Sequence, residues 1–219
     1  MPIGPVVRRA FGPLEPFITN AYRSAFLNVP LLAETIAGRT RPKRLLEIGC
    51  GEGALLTALS SICPDAGVVG IDINPHVGRL FQGDRERVRL VHASMEQYAH
   101  SRSGCFDVVV MCDVLHHIPA DRRRDALRQA AGFLDDGGLF ILKEWVPSRS
   151  PMNLLALWSD RYITGDRGVE FISRPALSSL LTDVFGAGCL VGEALIPPRP
   201  NNLAPFVRAG AATVERTPP

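Results

Sequence analysis

The sequence predicts an α/β domain with a parallel, doubly wound sheet, and three observations lead there. From Arg44 onward, short apolar strands alternate with helical patterns, the order that right-handed β–α–β crossovers require. Residues 106–111 form a nearly continuous apolar run, as a central strand covered on both faces does. The segment Gly49-Cys50-Gly51-Glu52-Gly53 leaves the first of these strands and enters a helix, where glycines let a ligand approach the backbone.

Taken in order, Phe17, Ile18, Tyr22, Ala25, Phe26 and Val29 recur at helical spacing. Leu31, Leu32 and Ile36 continue that stripe beyond Pro30, and Gly38 offers a stop. Strands are expected over residues 45–48, 67–73 and 88–91, with Leu55, Leu56, Leu59 and Ile62 on the helix behind the first. After the central strand a helix begins near Asp121, ends at Gly137 and Gly138, and leads into a fifth strand over 139–145. Leu177, Leu180, Leu181, Val184 and Phe185 mark an amphipathic helix entered through Pro175. Strands over 190–196 and 203–207 follow, and their short Pro/Asn connection suits an antiparallel edge pair. Residues 1–40 are expected as a helical cap, 41–210 as the ligand-binding domain and 211–219 as a frayed tail. Residues 147–174 show little periodicity and fall where such folds carry active-site loops.

Composition narrows the function classes. A chain of 219 residues with 46% hydrophobic and 21% charged side chains is globular rather than disordered. A net charge of +2 is too small to argue for a nucleic-acid groove. The apolar runs fall well short of the roughly 20 residues a membrane helix needs, so no stable membrane insertion is expected. Gly12, Pro13, Glu15 and Pro16 interrupt any signal-peptide core behind Arg8 and Arg9, which places the protein in the cytoplasm. Five cysteines without a C-x-x-C pair weaken both a disulfide framework and a structural zinc site.

The glycine loop alone is ambiguous, because Gly49, Gly51 and Ala54 also fit the G-x-G-x-x-G/A pattern of dinucleotide enzymes. Asp72, at the end of the second strand, would accept ribose hydroxyls from either ligand. Charge separates the two. Glu47 and Glu52 flank the helix amino terminus that a pyrophosphate would occupy, and two carboxylates would repel it. S-adenosylmethionine has no phosphate and carries a sulfonium and an ammonium, which carboxylates favour.

With those residues in place, Glu47-Ile48-Gly49-Cys50-Gly51-Glu52-Gly53 resembles motif I of the class I S-adenosylmethionine-dependent methyltransferases. Gly70-Ile71-Asp72-Ile73 is similar to their acidic second motif. Phe106-Asp107-Val108-Val109-Val110, with Asp113-Val114-Leu115-His116-His117-Ile118-Pro119, resembles their fourth. Leu134-Asp135-Asp136-Gly137-Gly138-Leu139 resembles the turn before their fifth strand. The matches run in order from about Arg44 to Trp145. The resemblance implies a Rossmann-like seven-stranded sheet of order 3-2-1-4-5-7-6, its last strand antiparallel, with S-adenosylmethionine as cofactor. It places Gly49, Cys50 and Gly51 against the methionine moiety, Asp72 on the ribose and Ile73 on the adenine. The backbone near Cys112 would meet the methionine ammonium, with Glu47 at the strand end either contacting the cofactor or bracing the loop. Where the family often has an acidic residue for the adenine, this sequence has Ala93, which leaves Ser94 and Met95 to recognise it.

His116 and His117 follow the fourth strand, near the expected methyl-transfer position, and an imidazole suits a general base. Asp113 with these histidines has metal-ligand chemistry, but the sequence offers no further partner pair, so a site without metal is expected. Lys143, Glu144 and Trp145 would wall the acceptor pocket. The expected activity is methyl transfer from S-adenosylmethionine to a small organic acceptor, at a hydroxyl or phenol oxygen. An NAD(P)-dependent oxidoreductase and a non-catalytic S-adenosylmethionine-binding protein are the alternatives. The expected partner is that small acceptor rather than a nucleic acid, and a homodimer through the amino-terminal helices stays open.

Overall fold

The computed structural model describes residues 26–99, 105–147 and 168–208. Tyr22, Arg23 and most of the expected amino-terminal helix lie outside the described residues, as do the tail and residues 148–167 of the expected active-site segment. The elements are α1 Val29–Thr40, β1 Arg44–Ile48, α2 Ala54–Ile62, β2 Gly67–Asp72, β3 Val88–His92, α3 Met95–Ala99 and β4 Phe106–Cys112. They continue with α4 Arg123–Gly132, β5 Leu134–Trp145, α5 Arg174–Phe185, β6 Leu190–Leu195 and β7 Asn202–Arg208. The seven strands lie in the order β3-β2-β1-β4-β5-β7-β6. β7 runs antiparallel to both of its neighbours and the other pairings are parallel. This is the doubly wound arrangement that the motifs implied.

Side-chain alternation along the central strands divides the core in two. Val108, Val110 and Ile141 pack with Leu32, Ile36, Leu56 and Leu59, under α1 and α2. Val109, Met111, Phe140 and Leu142 pack with Leu127, Leu177 and Leu181, under α4 and α5. The unbroken apolar run in β4 therefore serves both faces at once.

Three local expectations are corrected. Gly38 does not stop α1, which continues to Thr40, and Arg41 takes the left-handed cap at φ 47°. The physical reason is Pro42, whose ring excludes helical geometry from the residue before it; the cost of about 1 kcal/mol for a helical glycine is small beside the burial of Leu32 and Ile36. The helix before the fifth strand ends at Gly132, and β5 already begins at Leu134, opposite Phe106. Between that pair and Val108↔Leu139, residues 135–138 bulge out opposite Asp107 alone, with Gly137 at φ 78°. The freed Asp107 carboxylate accepts from Lys43 N at 2.8 Å and Arg44 N at 2.7 Å, fixing the start of β1. Finally, α3 was not expected. Ser94 and Gln97 create it as a reciprocal cap, with Ser94 N donating to Gln97 Oε1 at 2.8 Å and Gln97 N donating to Ser94 Oγ at 3.2 Å.

Among the described residues no helix is long and apolar enough to cross a membrane. Phe140 is fully buried on β5 and stacks on Phe185 of α5, with ring centroids 5.2 Å apart. Phe140→Ala is expected to cost about 3–5 kcal/mol, read as a lower urea midpoint at an unchanged m-value. Ile62→Ala, at a position 41% exposed, should stay within about 1 kcal/mol in the same measurement.

Candidate active site

The site begins where β1 runs out. Gly49 N and Cys50 N both donate to Ile71 O, at 2.8 and 3.1 Å, so the chain turns sharply against the end of β2. Gly49 sits at φ 71°, and a Cβ there would stand 2.4 Å from Val114 Cγ2. Gly51, at φ 53°, has open space where its Cβ would be, which leaves bare backbone facing the cleft. Gly51 N donates to Asp72 Oδ2 at 2.7 Å, while Asp72 Oδ1 accepts from Asn74 N at 2.7 Å. The loop after β2 then straps the turn from outside: Gly78 N donates to Gly51 O, Leu80 N donates to Glu52 O, and Arg79 pairs with Glu52 at 2.7 Å. These contacts from neighbouring segments hold the conformation of the glycine turn.

A cavity of about 320 Å³ lies beside this turn at the carboxyl ends of β1, β4 and β5. Glu47, Gly49, Cys50 and Gly51 form one wall, with Cys112, His116 and His117 across from them. The aromatic rings of Phe26, Trp145 and Phe171 close the rest. Asp72, Ile73, Ser94 and Met95, at or just past the ends of β2 and β3, are not part of the cavity lining, and Asp72 reaches it through the Gly51 amide. Ile73 is 76% exposed, an unusual position for such a side chain, while Met95 packs partly buried on the core. The bare cleft at Gly51 and this exposed apolar side chain fit a long ligand laid across the strand ends.

Strand alternation sorts the end of β5. Lys143 and Trp145 face the cavity, and Glu144 points to the other side, behind His116. Glu144 is 1% exposed, yet its carboxylate is fully engaged. Oε1 accepts from Val114 N at 3.1 Å and Leu115 N at 2.7 Å, and Oε2 lies 2.6 Å from His116 Nδ1. A carboxylate only accepts, so Nδ1 carries the proton and Nε2 is the nitrogen with a basic lone pair. His116 is itself buried, with the His117 ring 4.2 Å away and Phe171 edge-on at 5.5 Å. Glu144 was expected to wall the pocket, and its place behind His116 is what the sequence reading missed. Its signal was an acidic residue inside an apolar strand, where a buried charge demands partners.

On the cavity side, Lys143 Nζ pairs with Asp113 Oδ2 at 2.5 Å, and Asp113 takes a left-handed φ of 54°. Burial pulls the Lys143 pKa down, but the Asp113 carboxylate, which also accepts its hydrogen bond, leads the effects that more than offset it, and the net shift is upward. Burial, reinforced by Asp113, holds the Cys112 thiol well above its ordinary pKa. Burial, with Glu47 and Asp72, does the same for Cys50. Both thiols are therefore protonated near neutral pH and act as packing groups, and none of the five cysteines is in a disulfide. Donor atoms of Asp113, His116 and Glu144 lie within 4.8 Å of one another, a metal-capable cluster. Yet the Glu144 oxygens already hold two amides and an imidazole, and Asp113 already holds an ammonium.

The chain matches the model of a methyltransferase-domain family over residues 18–184. It is 37% identical over 81 residues to a ubiquinone biosynthesis O-methyltransferase of Aromatoleum aromaticum, covering 35% of this chain and 34% of that protein. A protein of the same name from Xanthomonas axonopodis pv. citri is 30% identical over 119 residues, covering 52% of this chain and 48% of that protein. The chain thus spans about a third to a half of the length of these curated relatives. Among solved structures, it resembles the Burkholderia thailandensis 1,6-didemethyltoxoflavin-N1-methyltransferase, bound to 1,6-didemethyltoxoflavin and S-adenosylhomocysteine. The TM-score is 0.65 at 19% identity, covering 93% of this chain and 87% of that one. A plantazolicin methyltransferase with S-adenosylhomocysteine gives 0.65 at 14% identity, covering 94% and 95%. At these identities the likeness is one of fold.

Asp72 holds the amide of Gly51 and ends β2 beside the cleft, so Asp72→Ala should weaken S-adenosylhomocysteine binding at least tenfold in calorimetry, about 1.4 kcal/mol or more. An affinity within threefold of wild type would remove Asp72 from the site.

Proposed function

The chain belongs to the class I S-adenosylmethionine-dependent methyltransferases, and from that premise we propose that it methylates a hydroxyl or phenol oxygen of a small organic acceptor. The observation that carries the proposal is the buried His116–Glu144 pair beside the cavity, with Nδ1 2.6 Å from Oε2. A neutral amine already offers a nucleophilic lone pair and has less need of a base so firmly oriented. The curated relatives bear O-methyltransferase names, which supports the same choice of element.

S-adenosylmethionine supplies an electrophilic methyl group on a sulfonium whose sulfur leaves as a neutral thioether. Gly49, Cys50, Gly51 and the backbone at Cys112 would hold its methionine end, with Glu47 and Glu52 favouring its positive charges. Asp72 would meet the ribose, and Ile73, Ser94 and Met95 the adenine; because Ser94 Oγ already caps α3, the apolar face of Ile73 carries more of that contact. His116 Nε2 takes the proton from the acceptor hydroxyl as the oxygen closes on the methyl carbon. Glu144 keeps the ring in the productive tautomer and stabilises the imidazolium that forms. Phe26, Trp145 and Phe171 exclude water and suit a flat acceptor ring. A small acceptor in the cytoplasm, without a nucleic-acid partner, completes this reading.

His116→Ala is expected to lower kcat on a phenol acceptor about 10²–10⁴-fold with S-adenosylhomocysteine affinity unchanged. Glu144→Gln should lower kcat less, and His117→Ala only a few-fold. Initial rates on a panel of phenols, alcohols and amines provide the check. Turnover confined to amines would overturn the acceptor assignment, and cofactor binding without turnover on any acceptor would favour a non-catalytic binding protein.

A further inference from the structure

Lys143 is not needed by the reaction as described, and its placement is costly. Its side chain is 2% exposed and lines the cavity, next to Cys112 across the β4–β5 register. An ammonium has three donors, and this one makes a single hydrogen bond, to Asp113 Oδ2. Among the described residues, the other two N–H bonds have no acceptor. Burying a lysine is costly unless its charge is paired and its donors are hydrogen-bonded, and one half-buried aspartate meets only part of that need. The same Asp113 has a carboxylate oxygen within 4.8 Å of a His116 ring nitrogen, so one aspartate links the ammonium to the His116–Glu144 pair. The acidic groups around it are Asp113, Glu144 and the Cys112 thiol, with His116 as the remaining titratable neighbour.

We propose that Lys143 is a further catalytic residue, whose spare N–H donors receive the acceptor oxygen as it loses its proton, and that the substrate class is accordingly a phenol or similarly acidic hydroxyl. This rests on the O-methyltransferase reading above and narrows it. The O–H proton passes to His116 Nε2, and the oxyanion sits against the Lys143 ammonium, which keeps its own protons. The oxygen lone pair then forms the new O–CH₃ bond, the C–S bond breaks, and its electron pair stays on sulfur. Lys143 keeps its charge because Asp113 holds it protonated. Its contribution is largest for weakly acidic hydroxyls and smallest for those already ionised in water.

The test uses the protein loaded with S-adenosylhomocysteine and 4-nitrophenol as the probe, whose ionised form absorbs at longer wavelength than its neutral form. In wild type, the ratio of ionised to neutral bound nitrophenol should exceed that of the free probe at least tenfold at the same pH. Lys143→Gln should lose that tenfold gain, Lys143→Arg should keep most of it, and both should bind S-adenosylhomocysteine within threefold of wild type. The cofactor affinity separates the two levels of the argument. Failure to bind S-adenosylhomocysteine in wild type would defeat the methyltransferase reading itself. With that binding intact, the absence of an ionised band in wild type, from non-binding or neutral binding, overturns the role of Lys143. So does a gain that survives Lys143→Gln, or a large loss of cofactor affinity in Lys143→Arg.

Discussion

Glu144 is a charged side chain at the end of an interior strand, buried to 1% and tolerated there because three donors converge on it. Two are amides of the turn after β4, and the third is the His116 ring. The carboxylate thus performs a structural and a chemical task with the same two oxygens. It secures the 3-10 turn Leu115–His117 that carries the imidazole, and it selects the tautomer in which that imidazole can accept a proton. Removing either partner would leave the other buried with an unmet charge or donor, which costs more than the bond itself contributes.

The opposite wall of the cavity relies on backbone rather than charge. Gly49 has no room for a side chain because Val114, on the same turn that Glu144 secures, fills that space. Gly51 has room and leaves it to the ligand. Asp72 and the strap at Gly78 and Leu80 hold this conformation from the far side. The turn that carries His116 and the glycine turn therefore touch through Val114, and the spacing between the two is set by packing.

The family accounts for the scaffold, and the chain matches these curated relatives over about a third to a half of their length. Specificity in such a scaffold resides in the strand ends and loops. Here those ends carry an alternating Lys143-Glu144-Trp145, two residues toward the acceptor space and one behind the base. On the reading proposed above, that alternation suits the site to an acidic hydroxyl.

Much of this was legible in the residues themselves. The apolar run in β4, the glycines around Cys50 and the acid at Asp72 report local requirements: a doubly covered strand, left-handed turns and a carboxylate at a strand end. Each is dictated by the backbone within a few residues, so a single sequence exposes it. The close of α1 was decided by Pro42 and misread from Gly38, and α3 escaped because a five-residue helix has too little periodicity to detect. The pairing of Glu144 with His116, 28 residues apart, and of Lys143 with Asp113, 30 apart, had no sequence signal of its own. Those contacts exist because β4 and β5 lie side by side in the sheet, and only the folded register brings a strand's end against its neighbour's turn.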